Sequence, residues 1–154
     1  MFSIHDILSL AIRIESNGEA VYRKAAEKAE LKLLQESFLW LADQELEHRE
    51  SFQALKQRQP ALTGDALLSE EMGGTILQKV LGSQSFSLQA EQFSGQLTTD
   101  ALIERAREFE NDTILFYELI LGVIDDSRTK EILEHIIGEE YRHVERLEEL
   151  LERA

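Results

Sequence analysis

Apolar residues recur along this chain at helical spacing. Ile7, Ala11, Ile14, Gly18, Val21, Tyr22 and Ala25 form one stripe, and Leu34, Phe38, Leu41, Phe52 and Leu55 form a second. Positions three and four apart share a face of a helix, so each run predicts a helix with one buried side. The spacing predicts helices over about 3–29, 31–59, 100–124 and 128–152. Ser3, with Asp6 three positions on, offers a start for the first. Thr99 or Asp100 can cap the third, and Asp125-Asp126-Ser127 breaks the chain and caps the fourth. The turn near residue 30 is poorly marked and is placed by symmetry. No segment sustains the alternation of a strand, so the class is all-α.

Residues 60–99 read differently. Pro60, Gly64, Gly73, Gly74, Gly82 and Gly95 punctuate them among many Ser, Thr and Gln. Short helices are expected at 66–72 and 75–81. The stretch is too long for a turn and is expected to cross the bundle. Its apolar residues could pack on the bundle or serve a dimer contact. The whole chain is expected to be a single domain.

Two stripes are interrupted by charge at their centres. The second helix carries Glu45 and His48 on its apolar face; the fourth carries Glu140 and His143. Burying such groups unpaired is costly, and metal coordination satisfies them. Glu-x-x-His arises by chance in a Glu-rich chain, so the motif alone is weak. Its repetition is stronger. Glu15, Tyr22, Glu45 and His48 recur 95 positions later as Glu110, Tyr117, Glu140 and His143. Asn17 and Asp112, Phe38 and Leu133, Leu41 and Ile136, Phe52 and Leu147, and Leu55 and Leu150 obey the same offset. In a hairpin turning near residue 30, Glu15 and Glu45 both lie ~22 Å from the turn. Glu110 and Glu140 are placed alike about Asp125. Two such hairpins bring four glutamates and two histidines to one level, the ligand set of a carboxylate-bridged two-metal site.

Composition narrows the partners. Of 154 residues 43% are hydrophobic, enough for a core. The formal net charge of −14 argues against nucleic acid and anionic membrane as partners. The absence of cysteine excludes disulfides and thiolate metal sites and suits a cytoplasmic location. The first residues do not read as a signal peptide, and no apolar run approaches the ~20 residues of a membrane span.

The segments RIESNGEAVYRKAAE, LWLADQELEHRESF, AREFENDTILFYELI and IIGEEYRHVERL resemble the four helices of the rubrerythrin-type ferritin-like proteins. The resemblance implies a ferritin-like four-helix bundle with a long crossover between helices 2 and 3. It implies Glu45 and Glu140 as bridging carboxylates, Glu15 and Glu110 as terminal ligands, and His48 and His143 as one ligand to each metal. Tyr22 and Tyr117 would hydrogen-bond ligand carboxylates. The implied cofactor is two iron ions, with manganese or mixed metals as alternatives. Two features depart from the family. These 154 residues contain no cysteine and run only to helix 4, so no built-in rubredoxin-type electron relay is expected, and an external donor such as a rubredoxin-like protein is expected instead. Where rubrerythrins carry a further glutamate on the third helix this chain has Thr113, beside Asp112. The resemblance therefore does not carry over a peroxidase cycle that relies on that carboxylate.

The expected function is a di-iron oxidoreductase reacting Fe(II) with peroxide or oxygen, in peroxide scavenging or iron handling. Iron storage in a shell, manganese catalase-like dismutation and a metal-binding interaction module without turnover are the alternatives. A homodimer or larger homo-oligomer is expected. Glu47 and Glu139 are read as solvated, His5 and His135 as surface residues, and Trp40 as packing.

Overall fold

A computed structural model describes residues 4–58 and 98–153. They form four helices: α1 (Ile4–Lys28), α2 (Lys32–Gln57), α3 (Thr99–Leu121) and α4 (Ser127–Arg153). No strand occurs among the described residues. The crossover at 60–99, its two short helices and the cap at Ser3 lie, wholly or almost so, outside them.

The boundaries show which local signals governed. Thr98, rather than Thr99 or Asp100, caps α3, its hydroxyl accepting from the Ala101 N–H at 3.1 Å. Helix α3 ends at Leu121, three residues short of the expected 124, where Gly122 donates its N–H to the Glu118 carbonyl. Asp126 accepts from the Thr129 N–H at 2.9 Å and starts α4. The turn at 29–31 lacks a side-chain N-cap. Gln35 closes it instead, donating to the Ala29 carbonyl at 2.6 Å. A closing group that arrives six residues late leaves no recognisable turn signature.

Helices α1 and α2 pack as one hairpin and α3 and α4 as another, and the hairpins meet through α2 with α4 and α1 with α3. Two apolar clusters fill the interior. One gathers Leu8, Ala11, Ile14, Phe52, Leu55, Phe109, Tyr117 and Ile136. The other, nearer the α1–α2 turn, gathers Tyr22, Ala25, Leu34, Phe38, Leu41, Ile103, Ala106 and Leu147. Each large side chain so buried is worth about 1.5–3 kcal/mol. Those two clusters hold the helices around a polar layer that could not hold itself together.

Candidate metal centre

Glu15, Glu45, His48, Glu110, Glu140 and His143 are all buried in that polar layer. They form two quartets. Glu15, Glu45, His48 and Glu140 bring one ligand atom each within 4.8 Å of the others, and so do Glu45, Glu110, Glu140 and His143. Glu45 and Glu140 belong to both. His48 Nδ1 lies 2.6 Å from Glu140 Oε1, and His143 Nδ1 lies 3.3 Å from Glu140 Oε2. The two oxygens of Glu140 thus face different imidazoles. His143 Nδ1 also lies 3.2 Å from Glu45 Oε1 and 3.5 Å from Glu110 Oε1.

The hydrogen bonding separates two kinds of carboxylate. Tyr22 on α1 donates to Glu110 Oε1 on α3 at 2.5 Å, and Tyr117 on α3 donates to Glu15 Oε1 on α1 at 2.7 Å. Glu15 and Glu110 each keep one oxygen without a hydrogen-bond partner, whereas Glu45 and Glu140 keep both. The ring nitrogens of His48 and His143 also lack an aligned partner, despite their short contacts to carboxylates. Buried polar atoms are nearly always satisfied. Six carboxylate oxygens and two imidazole Nδ1 atoms, all without a hydrogen-bond partner and converging on one layer, fit a cation that accepts lone pairs.

Protonation follows from the crowding. Burial, and then the charges of Glu140, Glu15 and Glu110, push Glu45 well above the usual carboxylate range. Burial and the charges of Glu110 and Glu15 raise Glu140 to about 8. Burial works against the histidine charges, but Glu140 and Glu15 outweigh it and raise His48 to about 11. Glu140 and Glu110 likewise raise His143 to about 10. Burial also pushes Glu110 upward, yet the neighbouring Glu140 carboxyl and the His143 charge hold it at about 2. Burial beside Glu110 and Glu15 raises Tyr22 and Tyr117 well above the phenol range, so both remain donors. Protons therefore occupy the place that divalent charge would take. Four carboxylates with neutral imidazoles balance two divalent ions.

Gly18 makes room for Glu45. A Cβ there would meet Glu45 Oε2 at 2.9 Å and Phe109 Cε1 at 3.1 Å. Glycine within a helix costs about 1 kcal/mol against alanine, and the close approach of α1 to this carboxylate is the return. Sequence reading placed Gly18 on the buried stripe without this role. Thr113 is buried and donates to its own helix, to the Phe109 carbonyl at 2.9 Å, so no carboxylate projects from that position. Glu19 pairs with Arg23 and Arg49 at 2.7 and 2.8 Å, away from the layer. Glu47 and Glu108 are exposed.

Two expectations require correction. His5 is half-buried rather than superficial. Glu139 is 18% exposed rather than fully solvated, lying 3.6 Å from His48 Nε2 and 2.6 Å from His135 Nε2. Its position one residue from Glu140 hid it: at that spacing a side chain leaves the buried face, and only the approach of α2 brings His48 to it.

No described helix is long and apolar enough to cross a membrane. Residues 6–151 match the Rubrerythrin family model. A protein of Thermotoga maritima, named as a ferritin-like diiron-carboxylate protein, is similar in structure with a TM-score of 0.70 and 22% identity, over 97% of this chain and 95% of that one. A hypothetical protein of Pyrococcus furiosus is similar with a TM-score of 0.69 and 18% identity, over 97% of this chain and 89% of that one. No curated protein sequence matches significantly. The fold is therefore the ferritin-like four-helix bundle.

Proposed function

The chain belongs to the rubrerythrin family, and from that premise we propose that it is a two-iron oxidoreductase that couples Fe(II) oxidation to reduction of peroxide or oxygen. The observation that carries this reading is the division of the buried carboxylates. Glu45 and Glu140, with both oxygens unpartnered and a place in both quartets, would be shared by the two metals. Glu15 and Glu110, each with one oxygen taken by a tyrosine, are terminal ligands. His48 and His143 complete the two sites through Nδ1, the nitrogen each turns toward the carboxylates. Oxygen-rich donors with one imidazole per metal suit iron in both oxidation states, and manganese too.

Two iron ions held by these residues would supply two electrons to one O–O bond. The protein holds the ligands at the required level, excludes bulk water between two apolar clusters, and orients the terminal carboxylates. Tyr22 and Tyr117 fix Glu110 and Glu15 from the opposite hairpin, so neither carboxylate can rotate without losing a buried hydrogen bond. Glu45 and Glu140, which burial and crowding keep protonated, would give up their protons to bind metal. These 154 residues contain no cysteine, so reducing equivalents come from a donor outside them.

Anaerobic titration of the metal-free protein with Fe(II) tests the reading. Two tightly bound ions per chain are expected, lost together in Glu45→Ala/Glu140→Ala, with oxidation on adding peroxide or oxygen. Absence of tight iron and manganese in the unaltered protein would leave the six residues a buried polar network and end the proposal. Comparing oxidation rates with the two oxidants shows which one the site uses.

A further inference from the structure

The surroundings of the two imidazoles differ. Beside His48, α2 and α4 border a groove of about 680 Å³ whose lining includes His48 itself, Glu47, Glu131, His135 and Glu139. At ~30 Å³ per water, a divalent ion with six waters needs on the order of 200 Å³, so the groove admits one hydrated. Glu131, His135 and Glu139 are spaced by four along α4, a ladder on one face running from exposed positions to a half-buried one. His48 stands at its inner end, 3% exposed, its Nε2 turned toward Glu139 Oε2 and without a hydrogen-bond partner. Glu139 offers its other oxygen to His135, which is 71% exposed. Arg58 and Arg128 also line the groove. Arg128 is eleven residues from Glu139 along α4, ~16 Å outward. The inner end is thus acidic and imidazole-bearing.

Around His143 the corresponding positions are filled otherwise. At the 95-residue offset, His135 corresponds to Trp40 and Glu139 to Gln44. The Trp40 indole stands edge-on to His143 with ring centroids 5.6 Å apart. The depression on that side, about 400 Å³, is lined by Trp40, Arg142, Glu145, Arg146 and Glu149 and reaches none of the six buried residues. Its two carboxylates share it with two guanidiniums, Arg146 lying 3.7 Å from Glu149, and none of its lining residues leads on to the layer.

We propose that the α2–α4 groove is the port through which divalent metal reaches the buried centre, and that Glu139 with His135 forms a transit metal site at its inner end, next to His48. The proposal rests on the two-metal reading above. Glu139 and His135 each present a donor that an incoming ion can take while it sheds water. The ion then passes to the carboxylates behind His48, and the half beside His143 fills from within.

Trp40 makes loading observable, because it is the one tryptophan in the chain and lies against His143. Metal-free full chain is mixed with Co(II) in a stopped-flow instrument and quenching of Trp40 fluorescence is followed, with final occupancy counted by titration. In His135→Ala/Glu139→Gln the loading rate is expected to fall about ten-fold or more, the scale on which an acidic cleft speeds cation capture, while two ions still bind at the end point. His135→Ala alone, at an exposed position, gives a smaller slowing without risk to the fold. Gln44→Ala, the mirror position, loads at the unaltered rate. An unchanged rate in the double variant, equal slowing in Gln44→Ala, or loss of an ion at the end point in Glu139→Gln would each overturn the port. A wild-type chain that takes no metal at equilibrium would instead remove the two-metal reading on which the port rests.

Discussion

His48 and His143 occupy equivalent places in two copies of one helical pattern, yet the protein treats them differently. Each faces Glu140 through Nδ1, and each belongs to a quartet containing Glu45. Behind His48 are Glu139, His135 and an open groove; beside His143 is the edge of Trp40. The ligand layer is duplicated and its surroundings are not. On the proposed two-metal reading, ligand chemistry constrains the layer on both sides, because both ions would need the same donors. Access is needed from one side only, and a second opening would admit water to a layer that depends on its absence.

The sharpest way to break this comparison is to remove one imidazole at a time. His48→Ala and His143→Ala are each expected to reduce tight Fe(II) binding from two ions to one. Titration with metal counting checks this, and loss of both ions in either variant would show that the halves do not act separately. A smaller effect comes from the tyrosines. Tyr117→Phe frees Glu15 in the His48 half and Tyr22→Phe frees Glu110 in the His143 half. Each is expected to weaken its own half about 10–100-fold, the usual cost of losing the group that orients a metal ligand. Competition titration resolves the two affinities.

The smallest effect is on stability against pH in the metal-free chain. Glu140 holds its proton to about 8 against 4.5 ordinarily, and His48 to about 11 against 6.5. The folded chain therefore binds protons that the unfolded chain releases, and stability falls as pH rises through those intervals. Glu110 works the other way, but only between about 2 and 4.5. The melting temperature of metal-free protein is expected to drop by roughly 5 °C or more between pH 5 and pH 9. Loaded protein should lose metal as pH falls, since protons compete for the same atoms. Thermal scans with and without Mn(II) check both slopes; a metal-free protein that gains stability toward pH 9 would contradict the crowding of carboxylates.

Much of this was legible from spacing. All seven residues of the α2 stripe, from Leu34 through Glu45 and His48 to Leu55, are buried. Six ionisable residues singled out by a 95-residue repeat lie in one layer. That succeeds because helical faces are a local property: residues three and four apart must share a side, and equal distances from a turn must meet. Three things were not legible. The end of α3 fell at Gly122 rather than later, because a short cap outweighed continuing hydrophobicity. The need for Gly18 depended on the direction in which Glu45 reaches from another helix. Glu139 looked like any solvated neighbour of a buried glutamate.

By itself, then, the amino-acid order determined four helices, their pairing in hairpins and the identity of the buried polar layer, since periodicity and turn distance act within a helix or between neighbours in the chain. The tertiary structure decided which carboxylate oxygens the tyrosines take and on which side the layer opens. Those outcomes depend on how side chains 88 or 102 residues apart are brought together, and packing between hairpins, rather than any pattern within one, sets that meeting.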